Sequence, residues 1–378
     1  MELVISAEVL ASYVNIASKV VNSKANLPLL NNLLLEVSRK SIRIVGTDLE
    51  IQISATAQVA AKETGKTSVN AKLFSQYINT ISKTESVTIK KGKGVLKVSS
   101  KSGDAEFTTR DVDDFPLFES SEMETLFTLQ GEQFASMVDK TIFACAKDDI
   151  RPILTGINVE VENDSVMMVA LDTFRLSKII AQSSSNYVGK KQVVIPSVAM
   201  EQVVRVIRDT FIAAVTEQPV VTCKLSKNGN FVLLQYGEIE IFARLIEGDY
   251  PAYKAVIPVA HQTEVTVSRT LWLESLKRVG VFAQSAIGQK VILNFAENKL
   301  TMEALVPEIG NIREEVAVTH EGEPLKIAFQ IRFLLDILSL IEDESVIFRA
   351  STKVAPGVFL QPSLDSFLHI LMPLKLDD

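Results

Sequence analysis

The chain repeats itself, and this limits the folds open to it more than any other property of the sequence. Leu27-Pro28-Leu29-Leu30 followed by Gly46-Thr47-Asp48-Leu49 lines up, without gaps and at an offset of 124 residues, with Arg151-Pro152-Ile153-Leu154 followed by Ala170-Leu171-Asp172-Thr173. A second pair, Asp114-Phe115-Pro116 and Asp249-Tyr250-Pro251, closes each copy at a longer spacing, as an insertion in the second copy would produce. A long internal period means like bodies joined in series rather than one large core.

A finer pattern recurs six times: a short apolar strand leads through a polar residue into an amphipathic helix and then into alternating strands. The openings are Leu3-Val4-Ile5-Ser6, Thr67-Ser68-Val69-Asn70, Leu126-Phe127-Thr128-Leu129, Val193-Val194-Ile195-Pro196, Val265-Thr266-Val267-Ser268 and Ile327-Ala328-Phe329-Gln330. Apolar residues three and four apart predict helices over 7–24, 71–83, 131–147, 197–209, 268–285 and 330–343. Strand runs such as 86–89 with 95–98, and 220–225 with 231–234, flank glycine turns and predict hairpins. The expected fold is α+β, with three domains at 1–122, 123–260 and 261–378, each of two helices on two small antiparallel sheets. The linkers fall at Glu119-Ser120-Ser121-Glu122 and Val259-Ala260-His261-Gln262.

Chemistry is hard to find. The three histidines, His261, His320 and His369, have no metal-pair spacing, and no nucleophile motif appears, so no cofactor, metal or catalytic residue is expected. Cys145 and Cys223 lie far apart and form neither a zinc motif nor a disulfide framework. Gly65-Lys66-Thr67 resembles the end of a phosphate loop, but Ala60 stands where the earlier glycine is required. Asp48 and Asp172 occupy equivalent repeat positions, which favours a turn role over a paired-carboxylate mechanism. With no long apolar run and no basic, apolar leader, the chain is expected in the cytoplasm and away from membranes.

The net charge of −7 argues against a uniformly basic DNA-coating protein, yet the six helical spans together count to +3. Their cations include Lys19, Lys24, Lys72, Lys83, Lys140, Lys147, Arg205, Arg208, Lys277, Arg278 and Arg332. These are either solvated helix faces or a helix-lined surface that meets phosphates by charge rather than by base edges. Lys24, Lys72, Lys83, Lys147, Arg205, Arg208 and Lys277 are the residues expected to face DNA.

Gly46-Thr47-Asp48-Leu49-Glu50, Leu171-Asp172-Thr173-Phe174-Arg175-Leu176, Gly248-Asp249-Tyr250-Pro251-Ala252-Tyr253 and the ending Met372-Pro373-Leu374-Lys375-Leu376, in that order, resemble the beta subunit of bacterial DNA polymerase III, the replicative sliding clamp. The likeness spans essentially the whole chain. It implies a head-to-tail homodimer with twelve helices lining a hole for duplex DNA, and no catalysis. An edge strand around Phe107 would meet a second copy near Phe282. The resemblance also implies a pocket for short clamp-binding peptides of the polymerase alpha subunit, the clamp loader and other partners. Carried over, that pocket comprises Leu154, Leu171, Thr173, Phe174, Arg175, Leu176, Pro251, Val256, Phe333, Val354, Ile370, Leu371, Met372, Pro373, Leu374, Lys375 and Leu376. Thr173-Phe174 stand where the family often has a glycine and a smaller or polar ring, and Asp377-Asp378 extend past the usual terminal leucine. Two other classes remain open: a DNA-acting enzyme with an unusual site, and a repeat scaffold that binds only proteins.

Overall fold

The computed structural model describes residues 1–21, 27–110, 112–118, 122–148, 150–183, 187–216 and 219–376. Every one of the six openings is a strand that runs straight into a helix. The helices are α1 (Ala7–Ala17), α2 (Ala71–Ile78), α3 (Gly131–Ile142), α4 (Ser197–Ile207), a short α5 (Thr210–Val215), α6 (Arg269–Ala283) and α7 (Ile331–Leu340). Each of the six main helices begins on schedule, because a polar or proline residue stops the strand there. Of those six preceding residues only Asn70 closes a side-chain cap, accepting from the Leu73 amide at 3.0 Å.

All six end sooner than the periodicity predicts. Lys19, Lys83, Lys147 and Arg208 therefore lie beyond helix ends, on the short 3-10 turn after α1, in loops or at the cap of α4, and the helices carry less basic charge than expected. Lys24 and the linker residues 119–121 lie outside the described residues.

The helices pack in pairs, α1 on α2, α3 on α4 and α6 on α7, with apolar faces turned to the sheets. Leu10, Val14, Phe74 and Ile78 fill the first body, Phe134, Val138, Met200 and Val203 the second, and Trp272, Leu276, Leu334 and Leu338 the third, all buried. Each such side chain contributes roughly 1.5–3 kcal/mol by leaving water. Lys140 is a correction to the charge reading: it is 2% exposed, donates to Gln361 Oε1 at 3.2 Å and lies over the Phe367 ring. Gly65-Lys66-Thr67 opens the strand Gly65–Asn70, not a phosphate loop.

The sheets are where the expectation falls short. Each repeat contributes two groups of strands as expected, but pairing between repeats, and the long strand Gly310–Gly322 within the third, merge the described strands into antiparallel sheets of five, eight and twelve. Ile51–Gln58 pairs with Ile239–Arg244, from Ile51 opposite Ala243 to Ala55 opposite Ile239. In the same way Arg175–Gln182 pairs with Phe367–Leu371, from Arg175 opposite Leu371 to Ile179 opposite Phe367. These two seams satisfy edge groups that would otherwise stay unpaired.

The third strand of that kind is Gly310–Gly322. Its first part pairs with Lys299–Val306 on one side, and no described strand occupies the other. The strand Gly103–Thr108 likewise ends the five-stranded sheet with one side open.

Candidate functional site

At the second seam a tight turn sets the geometry. Asp172 Oδ1 accepts from the amides of Phe174 at 2.7 Å and Arg175 at 2.9 Å, folding the backbone back on itself. Asp48 makes the same turn in the first repeat, accepting from the amides of Glu50 and Ile51. The pair of aspartates is thus structural, as their equivalent positions suggest.

The turn delivers Arg175 into the seam. Only 4% exposed, Arg175 donates through Nε to Asp172 at 3.1 Å and through Nη1 to Asp336 of α7 at 2.6 Å. Its guanidinium lies 5.3 Å from the Phe143 ring centroid and 4.5 Å from that of Phe333. A planar cation held by two carboxylates and two rings is a rigid wall.

Cavities open on either side of that wall. The first, about 320 Å³, is lined by Leu154, Phe174 and Phe333, with Lys147, Ile150, Arg151 and Arg332 around it. The second, about 220 Å³, is apolar, and Leu171, Leu176, Pro251, Tyr253, Val256, Ile370 and Met372 line it. Asp172, Thr173 and Arg175 belong to both. Phe174, 49% exposed, stacks on Phe333 with ring centroids 5.9 Å apart.

The C-terminal segment straps the cleft: the Met372 amide donates to the Phe174 carbonyl and the Leu374 amide to the Ala328 carbonyl, both at 2.8 Å. Of the expected pocket residues, Leu371 is buried opposite Arg175 in the strand pair, and Val354 is 71% exposed. Val354, Leu371, Pro373, Leu374, Lys375 and Leu376 line neither of these two cavities. Asp377 and Asp378 lie outside the described residues.

Sequence reasoning missed Arg151, Arg332 and Tyr253 as cleft residues, although Arg151 opens a repeated motif. It also placed Lys147 on a helix, whereas that residue sits on the cleft. Burial pushes the Cys145 thiol up to about 12, and burial followed by its hydrogen bond to Glu160 raises the Tyr253 phenol. His369 is buried in the seam, 2.6 Å from Ser177 Oγ through Nδ1, and desolvation holds it neutral. No group of three or more His, Cys, Asp or Glu able to hold a metal exists among the described residues, and none of their helices is long and apolar enough to cross a membrane.

The remaining cations are differently placed. Lys72 and Lys277 are exposed on α2 and α6. Arg205 pairs with Glu201 at 2.7 Å, Arg208 with Asp139, and Lys83 approaches Glu8 at 3.9 Å. Phe107 is 5% exposed and packs edge-on against Phe74 and Tyr77, on the strand whose outer side is open. What its strand offers a neighbour is backbone. Phe282, on α6, sits beside the start of the other open strand, 3.4 Å from where a side chain on Gly310 would begin.

Comparison with known proteins gives one answer along the chain. Residues 1–119, 128–252 and 254–375 match models of the N-terminal, central and C-terminal domains of the DNA polymerase III beta subunit. The beta sliding clamp of Halalkalibacterium halodurans is 25% identical over 99% of this chain and 100% of its own length. Crystal structures of the beta subunits from Thermotoga maritima and Pseudomonas aeruginosa superpose with TM-scores of 0.90 and 0.92, at 28% and 25% identity, with full coverage of both chains in each case.

Proposed function

Since this chain belongs to the DNA polymerase III beta subunit family and is a DNA sliding clamp, a processivity factor and not an enzyme, we propose that two copies close head to tail around duplex DNA through their open strand edges. The observation that carries this reading is the unfinished series of seams. Ile51–Gln58 and Arg175–Gln182 each use one side to pair with the last strand of the next repeat, Ile239–Arg244 and Phe367–Leu371. Gly310–Gly322 leaves that side open, and Gly103–Thr108 is the last strand of the first repeat, also open. A second copy supplies each with the partner it lacks. Domain boundaries near residues 122 and 260 fit this arrangement.

Contact with DNA is electrostatic and sequence-independent, with Lys72 and Lys277 the best placed of the expected residues on helices because they are exposed there and no ion pair engages them among the described residues. Lys24 stays in this set from the sequence. Encirclement provides the hold, and the cleft at the second seam receives short peptides of the polymerase alpha subunit, the clamp loader and other cytoplasmic partners. Its floor is Leu171, Leu176, Val256, Ile370 and Met372, and its wall is Arg175. The deciding experiment loads the protein on a nicked circular duplex and then cuts the circle. Retention on the circle and loss on linearisation are expected; equal retention on both would reject encirclement.

A further inference from the structure

The two internal seams share one backbone pattern and differ in the side chains that cross it. At the first, residues 51–55 pair with 239–243, and at the second, 175–179 pair with 367–371. One further hydrogen bond extends each ladder at either end, Thr56 amide to Glu238 carbonyl and Arg244 to Glu50 at the first, Ile180 to Ser366 and Met372 to Phe174 at the second. The main chain therefore resists displacement alike at both. Across the second seam the side-chain contacts are buried and polar. Arg175 donates to Asp336 at 2.6 Å, Lys140 donates to Gln361 at 3.2 Å, and Ser177 Oγ lies 2.6 Å from His369 Nδ1. The repeat carries these positions into the first seam as apolar residues. The offset of 124 puts Ile51 where Arg175 stands, Ile53 where Ser177 stands and Ile16 where Lys140 stands, while Ile241, opposite Ile53, takes the place of His369. All four isoleucines are buried. Across the first seam Ser54 donates to Glu240 at 3.2 Å, Tyr13 meets Phe211 edge-on, and Phe118 packs on Phe231 and Phe242.

We infer that the chain bends at its first seam and stays stiff at its second, so that the first seam is the hinge on which a closed ring opens and recloses. Its use in opening rests on the reading of two copies closed around DNA; the difference between the seams does not. Contacts between isoleucines have no preferred direction, so packed layers slide past one another in small steps and keep their area buried. A charge-assisted hydrogen bond weakens steeply with angle and distance, and a buried cation drawn off its acceptor has no water to turn to. Arg175 is gripped by Asp172 of its own repeat as well as by Asp336 on α7, and Lys140 lies over the Phe367 ring while it reaches Gln361. Rotation of the third repeat against the second strains both cations together. The cleft lies on the stiff seam and so keeps its shape while the ring is open.

The test places spin labels at the second residue of α2, α4 and α7, three exposed and equivalent positions. Lys72→Cys/Val198→Cys spans the first seam and Val198→Cys/Arg332→Cys the second. Cys145 and Cys223 are buried and take no label. Pulsed dipolar distances are read in the full-length chain, in rings diluted with unlabelled copies and in monomers made by proline substitution in the open strand Gly103–Thr108. In the monomer the first-seam distribution should be about twofold broader than the second and displaced from its value in the ring, while the second should be the same in both. In Lys140→Met/Arg175→Met the second distribution should broaden to match the first. Equal widths at the two seams, a broader second seam, or a second seam that stays narrow in a folded Met variant would each overturn the inference. If that variant does not fold, the comparison in the unaltered seams decides. Equal retention on circular and cut DNA would remove the ring and leave the monomer distances to decide the hinge.

Discussion

Arg175→Ala should cost this protein both stability and peptide binding, because one side chain holds the seam and the wall between two chambers. Its loss leaves Asp172 and Asp336 without their cation; their side chains are 16% and 34% exposed. Removing one member of a buried pair costs about 3–5 kcal/mol, and water reaching Asp336 reduces that to roughly 2–3 kcal/mol. Loss of contact with Phe143 and Phe333 adds about 0.5–1 kcal/mol, for a total near 3 kcal/mol. Urea unfolding, followed through the lone tryptophan, Trp272, reads this directly, since Trp272 is buried in the same body as Asp336. Arg175→Lys should recover only part of the loss, because an ammonium cannot reach two carboxylates and stack between rings at once. A double-mutant cycle with Asp336→Ala should give a coupling of about 1–2 kcal/mol. A loss under about 1 kcal/mol, with peptide affinity unchanged, would refute the role given to Arg175.

Proline at Ala105 or at Glu106 should separate the ring from the fold: one of these adjacent amides points to the neighbouring strand and the other to the open edge. One variant should be a well-folded monomer of 41.6 kDa by light scattering; two folded dimers would place the closing contact elsewhere. Met372→Ala with residues 373–378 removed should abolish peptide binding, and should also lower unfolding stability by about 1 kcal/mol through the lost Leu374 to Ala328 hydrogen bond. Unchanged peptide affinity in that variant would contradict the strap. Burial keeps the pKa of His369 well below 6.5. Above that pH neither folded nor unfolded chain is charged there, whereas below it only the unfolded chain takes the proton, so stability falls by up to about 1.4 kcal/mol per pH unit. His369→Asn should flatten this slope between about pH 6.5 and 5, and an unaltered slope would show that the ring is not shielded in solution.

Local structure was legible where side chains dictate it. The six strand-to-helix openings, the Asp48 and Asp172 turns and the hairpins all depend on residues within a few positions of one another. Helix ends were not, because α1, α2 and α3 stop where packing stops, and apolar residues continue past the break. Nor were the two seams: Ile51 opposite Ala243 and Arg175 opposite Leu371 are joined by backbone groups that every residue carries, which leave no signature in composition. Lys140 read as either a solvated or a phosphate-facing cation, because its partner, Gln361, lies 221 residues away. In the cleft the apolar floor followed from resemblance, and the Arg151 and Arg332 rim did not, because it forms only when the second and third repeats meet.

The open edges are of two different kinds, one at Gly103–Thr108 and one at Gly310–Gly322. A copy that joins another therefore always leaves one edge of each kind at the far ends, and growth stops only when those ends meet. The contact itself cannot count. The number of copies per assembly is set by how far each repeat turns the path, so a substitution that altered the bend at either internal seam, while leaving every residue at the open edges intact, would convert a closed pair into a larger circle or an unending filament.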